Sequence, residues 1–422
     1  MTKKQKLVLI LSSVIIFNSF VSIANAYLEE NTEIEIGGRY DIPNEYNSML
    51  NTVLEADSYE IILIQDPELK SVLNGILGQD SHEKISKSQL AQIEKIESKN
   101  GSISNLDGLQ YCINLSFLNL NGNQISDISS LSNLINLKYL YLERNQISDV
   151  SSLSNLTNLR ILNLNGNRIN DIRPLINLTS LNDLYLRGNQ IDDTSYLGNL
   201  TNLNVLNLTK NKINDISFLS NLTTLKGLYL NGNQISNISS VSNLINLKYL
   251  YLDRNQISDI SPIKKLTKLI GVRLSNQKIK LEKITLNSTR VEIENKIKNL
   301  NGKIVDDIYD ISNNGKTSSE TNLIKWNNIR QKGILKYNFR ESVNIGGALT
   351  KFSGTVEQVV EINKALKRRV GDKVLITSLI YSIGEILIIV LIFMVMQKRK
   401  SDYWWSDYKD KKYLLRKLLN GF

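Results

Sequence analysis

The apolar and polar positions of this chain fall into register when it is written in rows of 22 residues from Leu109. Seven full rows begin at Leu109, Leu131, Leu153, Leu175, Leu197, Leu219 and Val241. The row Leu131–Ser152, LSNLINLKYLYLERNQISDVSS, is apolar at Leu134, Leu137, Leu140, Leu142 and Ile147 and has an amide at Asn145. Within it Tyr139-Leu140-Tyr141-Leu142-Glu143 alternates with period two. Leu140 and Leu142 therefore point inward from a short strand, and Tyr139, Tyr141 and Glu143 point out. The column Asn123, Asn145, Asn167, Asn189, Asn211, Asn233 and Asn255 places one amide per row where the backbone turns, able to bond main-chain groups of adjoining coils.

Self-similarity of this period and spacing is the leucine-rich repeat signature, and it predicts an α/β repeat solenoid with one parallel strand per row. Degenerate rows begin at Lys87 and Ile263; in the second, Gln277 replaces the asparagine. A solenoid must cover its ends. At the N-terminal end Asp66 caps a helix opening on Pro67, with Leu69, Val72, Leu73, Ile76 and Leu77 on one stripe. Ser86-Lys87-Ser88-Gln89 reads as a capping box for a second helix, with Ile85 and Leu90 as its staple. After Lys283 short alternating stretches replace the 22-residue pattern: Val291/Ile293, Leu323 to Trp326, Leu335/Tyr337/Phe339, Val343/Ile345 and Phe352 to Val360. They predict a small all-β sandwich with Trp326 in its core.

Two segments address the chain to a membrane. Lys3, Lys4 and Lys6, an apolar run from Leu7 and the small-x-small Ala24-Asn25-Ala26 read as a signal peptide ending at residue 26. Val374 to Met396 is long and apolar enough to span a bilayer, with Lys398, Arg399 and Lys400 as the stop. Translocation of the N-terminus puts the repeats outside and the tail in the cytoplasm. Mid-span Glu385 shares a helix face with Ser378 and Ser382, a polar face suited to pairing with another transmembrane helix. The organisation is thus 1–26 signal peptide, 27–63 extension, 64–108 cap and degenerate first repeat, and 109–284 repeats. A β domain follows at 285–362, then a basic linker at 363–373, a transmembrane helix at 374–396 and a cytoplasmic tail at 397–422. Fully extended, the linker reaches at most roughly 39 Å.

Charge and composition narrow the chemistry. The formal net charge is +10, but the excess sits in the membrane-related ends and residues 27–362 carry −1, which argues against nucleic acid. One cysteine, Cys112, allows no intramolecular disulfide. One histidine, His82, removes His-rich metal sites and a Ser/His/Asp triad. No enzyme, cofactor or metal is expected.

The Leu-x-Asn-Leu-Thr-Asn-Leu opening (Leu153 to Leu159) and the Asn-x-Ile-x-Asp-Ile close (Asn255 to Ile260) resemble the internalin family of Gram-positive surface proteins. So do the cap (Asp66 to Leu106) and the β region ending in Phe352-Ser353-Gly354-Thr355-Val356. The resemblance covers about residues 64 to 362 and implies an extracellular scaffold with an Ig-like C-terminal domain. It also implies a concave face that binds a protein, often a host receptor, in adhesion, invasion and virulence, without catalysis. One departure stands out: 363–373, NKALKRRVGDK, lacks the Leu-Pro-x-Thr-Gly of wall-linked members.

On the concave face the outward columns run Phe117, Tyr139, Ile161, Asp183, Val205, Gly227, Tyr249, Gly271 and Asn119, Tyr141, Asn163, Tyr185, Asn207, Tyr229, Tyr251, Arg273. With rungs about 4.8 Å apart, alternate tyrosines stand about 9.6 Å apart, each ring free for a partner. Tyrosine with arginine is the composition of interface hot spots. The candidate partner-binding residues are Phe117, Tyr139, Tyr141, Arg144, Tyr185, Arg187, Tyr229, Tyr249, Tyr251 and Arg254. Two functions compete: an adhesin binding a protein outside the cell, and a membrane-proximal receptor or assembly subunit that also pairs through Ser378, Ser382 and Glu385.

Overall fold

The computed structural model describes residues 60–398 apart from Ser319. The signal peptide, most of the extension and the tail from 399 lie outside the described residues.

The cap comes first. Strand β1 (Ile61–Ile62) pairs antiparallel with β2 (Ile85–Ser86) around helix α1 (Pro67–Ile76), and α2 (Lys87–Ala91) follows. Asp66 starts α1 by accepting from the N–H groups of Glu68 and Leu69, which α1 leaves unpaired. Its second oxygen accepts from Ser104 and Asn105 N–H, which ties the cap to the first coil. The Ser86/Gln89 capping box forms as the spacing predicts. On the α1 stripe Leu69 and Leu73 are fully buried, whereas Ile76 is exposed at its margin.

The solenoid strands are β3 (Lys95–Glu97), β4 (Phe117–Asn119), β5 (Tyr139–Tyr141), β6 (Ile161–Asn163), β7 (Asp183–Tyr185), β8 (Val205–Asn207), β9 (Gly227–Tyr229) and β10 (Tyr249–Tyr251). They pair in parallel, each residue beside its equivalent in the next row. The convex return of each row is a 3₁₀ turn, such as Ser129–Leu131. The aspartate of the repeat close starts it, as where Asp127 and Asp149 accept from Ser129 and Ser151 N–H at 2.8 Å. In the row from Leu131, seven apolar side chains from Leu131 to Val150 are at most 1% exposed. At about 1.5–3 kcal/mol for each large apolar side chain, their burial is the main force that closes each coil on the next.

The asparagine ladder works as expected. In each coil the amide donates to one carbonyl of its own row and one of the row before, as Asn167 Nδ2 does to Leu164 O and Leu142 O. Its oxygen accepts from a backbone N–H of the preceding coil, as Asn167 Oδ1 does from Ile147.

Strand β11 (Gly271–Leu286) begins as the last rung and continues across position 284/285, where the repeat pattern ends. From Leu274 to Leu286 it pairs in parallel with β17 (Ala348–Ile362). Strands β12 (Val291–Glu294), β13 (Ile308–Tyr309), β14 (Lys316–Ser318), β15 (Leu323–Trp326) and β16 (Gly333–Ile345) complete the β domain. One layer is β13-β16-β17-β11, continuous with the solenoid sheet, and the other is β12-β15-β14. Trp326 is buried as expected, its Nε1 donating to Ser312 O, and Phe339 meets Phe352 edge to face at 5.0 Å. The β16–β17 turn docks on the last coil, with Gly347 N–H donating to Leu269 O.

The basic segment 363–373, read from sequence as a linker, is helical from Lys364. Helix α3 (Lys364–Lys398) begins one residue after β17, with Asn363 accepting from Leu366 N–H as its cap. Asn363 N–H also donates to Leu286 O and its amide bonds Asn287, so the helix start is fixed to the end of β11. At about 1.5 Å per residue, a helical 363–373 reaches roughly 16 Å, less than half the extended span. Lys364–Ile392 within α3 is long and apolar enough to cross a membrane.

Candidate functional site

The outward side chains of β4 to β11 form one concave sheet face, and the structure gathers its aromatic residues into two clusters. At the N-terminal end Phe117 packs against Tyr141 at 5.6 Å and Tyr139 at 6.3 Å, with Lys95 Nζ over the Phe117 ring at 5.1 Å; Tyr185 stands outside both clusters. At the other end Tyr229 and Tyr251 meet edge to face at 5.0 Å, and the Arg273 guanidinium stacks on Tyr251 at 4.4 Å. These contacts correct the expectation of free, evenly spaced rings. The columns fix where each Cβ stands, but the rings tilt across rungs to bury one another.

Two glycines in the first column make this possible at the C-terminal end. A Cβ on Gly227 would come within 3.1 Å of the Tyr229 ring, and one on Gly271 within 2.8 Å of Tyr249 Cδ1. The rings occupy the space that side chains would have filled. Tyr249 remains the most open tyrosine of the face, at 39% exposure.

Between the clusters stands Asp183, half-buried in the column between Ile161 and Val205. Its carboxylate has no hydrogen bond and no ion pair among the described residues. Burial pushes its pKa above the ordinary 3.8, and the charge of Lys226 offsets this only in part. The phenols of Tyr141 and Tyr185 are pushed up by burial first and then by neighbours that include the Asp183 charge. The arrangement is a lone, partly desolvated anion in an aromatic surface, a setting that favours a cationic or hydrogen-bond-donating group from outside.

Of the residues expected from sequence, Phe117, Tyr139, Tyr141, Tyr185, Tyr229, Tyr249 and Tyr251 share this face. Arg144, Arg187 and Arg254 lie beyond the strand ends, on the edge where the chain turns away, and make no ring contact among the described residues. The cations that do stack on the face, Lys95 and Arg273, were not singled out by the sequence pattern. Asp183 stands in the outward column read from sequence but not among the candidate binding residues; its signal was a charge in a column otherwise apolar, aromatic or glycine.

The remaining candidates stand apart. Cys112 is buried and its thiol is pushed up to about 12 by burial alone, so it is not a nucleophile. Among the described residues no group of His, Cys, Asp and Glu could hold a metal ion. In α3 the Ser378 hydroxyl donates to Leu375 O and that of Ser382 to Ser378 O, while Glu385 is exposed without a bonding partner among the described residues.

The family profile described as Leucine Rich repeats (2 copies) matches residues 113–155, 135–177, 157–199, 179–221 and 223–265, and the profile LRR adjacent matches 302–361. No curated protein matches the chain. Among solved structures, an internalin (inlF) of Listeria monocytogenes str. 4b F2365 is 35% identical, with 51% of this chain and 71% of that one covered and a TM-score of 0.45. Internalin C2 (inlC2) of the same strain is 36% identical, with 49% of this chain and 92% of that one covered and a TM-score of 0.48. On that shared sequence, with the repeat array and the adjacent domain in the same chain, the protein belongs to the internalin-like leucine-rich repeat family.

Proposed function

We propose that this is a membrane-anchored cell-surface protein whose concave face binds a protein partner, an adhesion-type and non-catalytic role. The observation that carries the reading is Asp183: a partly buried carboxylate between two aromatic clusters, with no hydrogen bond or ion pair among the described residues. Such a group is retained at some cost to stability, and a partner that supplies a cation there would offset that cost. Tyrosine platforms add large contact area with little entropy to lose, and clusters of this kind are where binding energy concentrates. Anchoring by α3 rather than by a wall linkage is supported by its length and by the lack of Leu-Pro-x-Thr-Gly in 363–373. The repeats then lie outside and the tail in the cytoplasm.

A second reading, recognition of an envelope partner close to the cell's own membrane, is favoured by Asn363. Its bonds to Leu286 and Asn287 leave no flexible spacer between the β domain and α3. Within α3 the unpaired Glu385 supports pairing with a second transmembrane helix, whereas the serines satisfy their hydroxyls internally. Protease accessibility of the repeats on intact cells, compared with cells stripped of their wall, separates the readings. Cleavage on intact cells supports a partner on another cell; cleavage only after stripping rejects it and leaves the local partner.

A further inference from the structure

A second surface lies at the edge where each strand hands over to the convex return. The residue before each ladder amide is in the left-handed region in every rung from β4 to β11, with φ between 55° and 74°. Glycine fills it at 122, 166, 188 and 232 and asparagine at 276, the residue types that this backbone favours. Three rungs instead hold Arg144, Lys210 and Arg254.

The repeat supplies its own control. From Gly122 to Arg254 this residue's N–H donates to a carbonyl one coil on, as in Arg144 to Asn165, Gly166 to Arg187 and Lys210 to Asn231, at 2.6–3.0 Å. A Cβ at Gly166, Gly188 or Gly232 would meet its nearest neighbours at 3.4–3.8 Å, ordinary contact. These three glycine rungs therefore have room for a side chain and carry the same backbone bond as the cation rungs; Gly122 is the exception, since a Cβ there would stand 2.5 Å from Asn100 Oδ1. What differs is that the cation rungs keep a strained residue, the pattern expected where a side chain is held for function.

The neighbouring positions agree. Arg168, Arg187 and Lys212 lie within two residues of the same column, so four successive coils from Arg144 to Lys212 each present an exposed cation. With Arg254 counted, six cations face two acids in these strand-exit segments: Glu143, which sits 3.8 Å from Arg144, and Asp253, which precedes Arg254. Arg187, Lys210 and Lys212 form no ion pair among the described residues.

We propose that this edge binds a linear phosphodiester polyanion of the cell envelope. A row of cations at a rung spacing of about 4.8 Å matches a chain carrying charge at regular intervals, and arginine forks suit phosphate oxygens. The envelope is the source because α3 starts one residue beyond the β domain, which keeps the edge near the membrane. That last step rests on the membrane reading above. The edge itself is separate from the concave face, so the two proposals fail independently.

The test uses the full chain in nanodiscs of uncharged lipid, with fluorescent poly(glycerol phosphate) as the probe, heparin as the comparison and salt as the variable. Wild type is expected to bind the phosphate polymer with an affinity that falls steeply with salt. The variant R144G/K210G/R254G is expected to bind at least about tenfold more weakly, with a salt slope reduced by about 2. Because glycine suits this backbone, its melting temperature is expected to be equal or higher, which separates lost binding from lost folding. Y141A/Y185A is expected to bind the polymer as wild type does. Absence of salt-sensitive binding, an unchanged triple variant, or binding to heparin alone would overturn the proposal.

Discussion

The ring of Tyr249 lies over Gly271, so close that a methyl group there would stand 2.8 Å from Tyr249 Cδ1. One glycine on β11 thereby sets the shape of the C-terminal aromatic cluster. Gly271→Ala is expected to displace Tyr249, alter the near-ultraviolet circular dichroism of the tyrosines and weaken partner binding. Stability is expected to change by no more than about 1 kcal/mol, because the ring can swing toward solvent. Unaltered tyrosine signals in the variant would contradict the packing described.

Asp183 makes a prediction with a definite sign. Burial first raises its folded pKa above the ordinary 3.8. Stability linked to its protonated form is complete below that ordinary value and is lost as pH rises through the folded one. At pH 7 the charged group is therefore destabilising, and Asp183→Asn is expected to be more stable than wild type by less than about 1 kcal/mol. The gain should vanish below about pH 3.8, where both proteins are neutral at this site. A variant less stable at pH 7 would show that Asp183 has a structural partner.

The ladder predicts a large loss. Asn189 donates to Leu164 O and Leu186 O and accepts from Ile169 N–H, all buried. Asn189→Ala strands three backbone groups at about 1–3 kcal/mol each, so a loss of about 3 kcal/mol or more is expected in urea denaturation. Gln277→Ala is expected to be similar, since Gln277 donates to Leu252 O and Leu274 O and accepts from Ile257 N–H.

Gln277 also marks what sequence could and could not reveal. The ladder, the caps and the longer strands of the β domain were legible because each follows from a period, a spacing or a capping rule that acts locally, whereas β13 and β14 are too short to show a period. At Gln277 the repeat looked as if it faded, yet the longer amide does the asparagine's work where β11 leaves the regular rungs for β17. The column of Tyr229 and Tyr251 was legible, but their edge-to-face contact was not, since it depends on how the rings tilt across neighbouring rungs. The helical start at Lys364 was hidden because basic residues before an apolar span read equally as linker or as helix; the deciding contact, Asn363 with Asn287, is between residues 76 apart.

Within α3 the serines and Glu385 are expected to behave differently. Ser378 and Ser382 are bonded to their own helix, so S378A/S382A should leave intramembrane cross-linking unchanged. Glu385→Leu should abolish it, because the carboxylate is the polar group left for a second helix to satisfy. Equal loss in both variants would instead indicate packing through the small residues.

Binding on the concave face is tested most directly by photocross-linking on living cells, with a benzophenone amino acid at Tyr185 or at Ile135, an exposed residue outside the concave strands. The expected result is a discrete protein adduct from position 185, absent from position 135 and lost when Asp183→Asn and Tyr141→Ala are added. Adducts from position 135 alone, or adducts from 185 that survive both substitutions, would contradict the concave-face account.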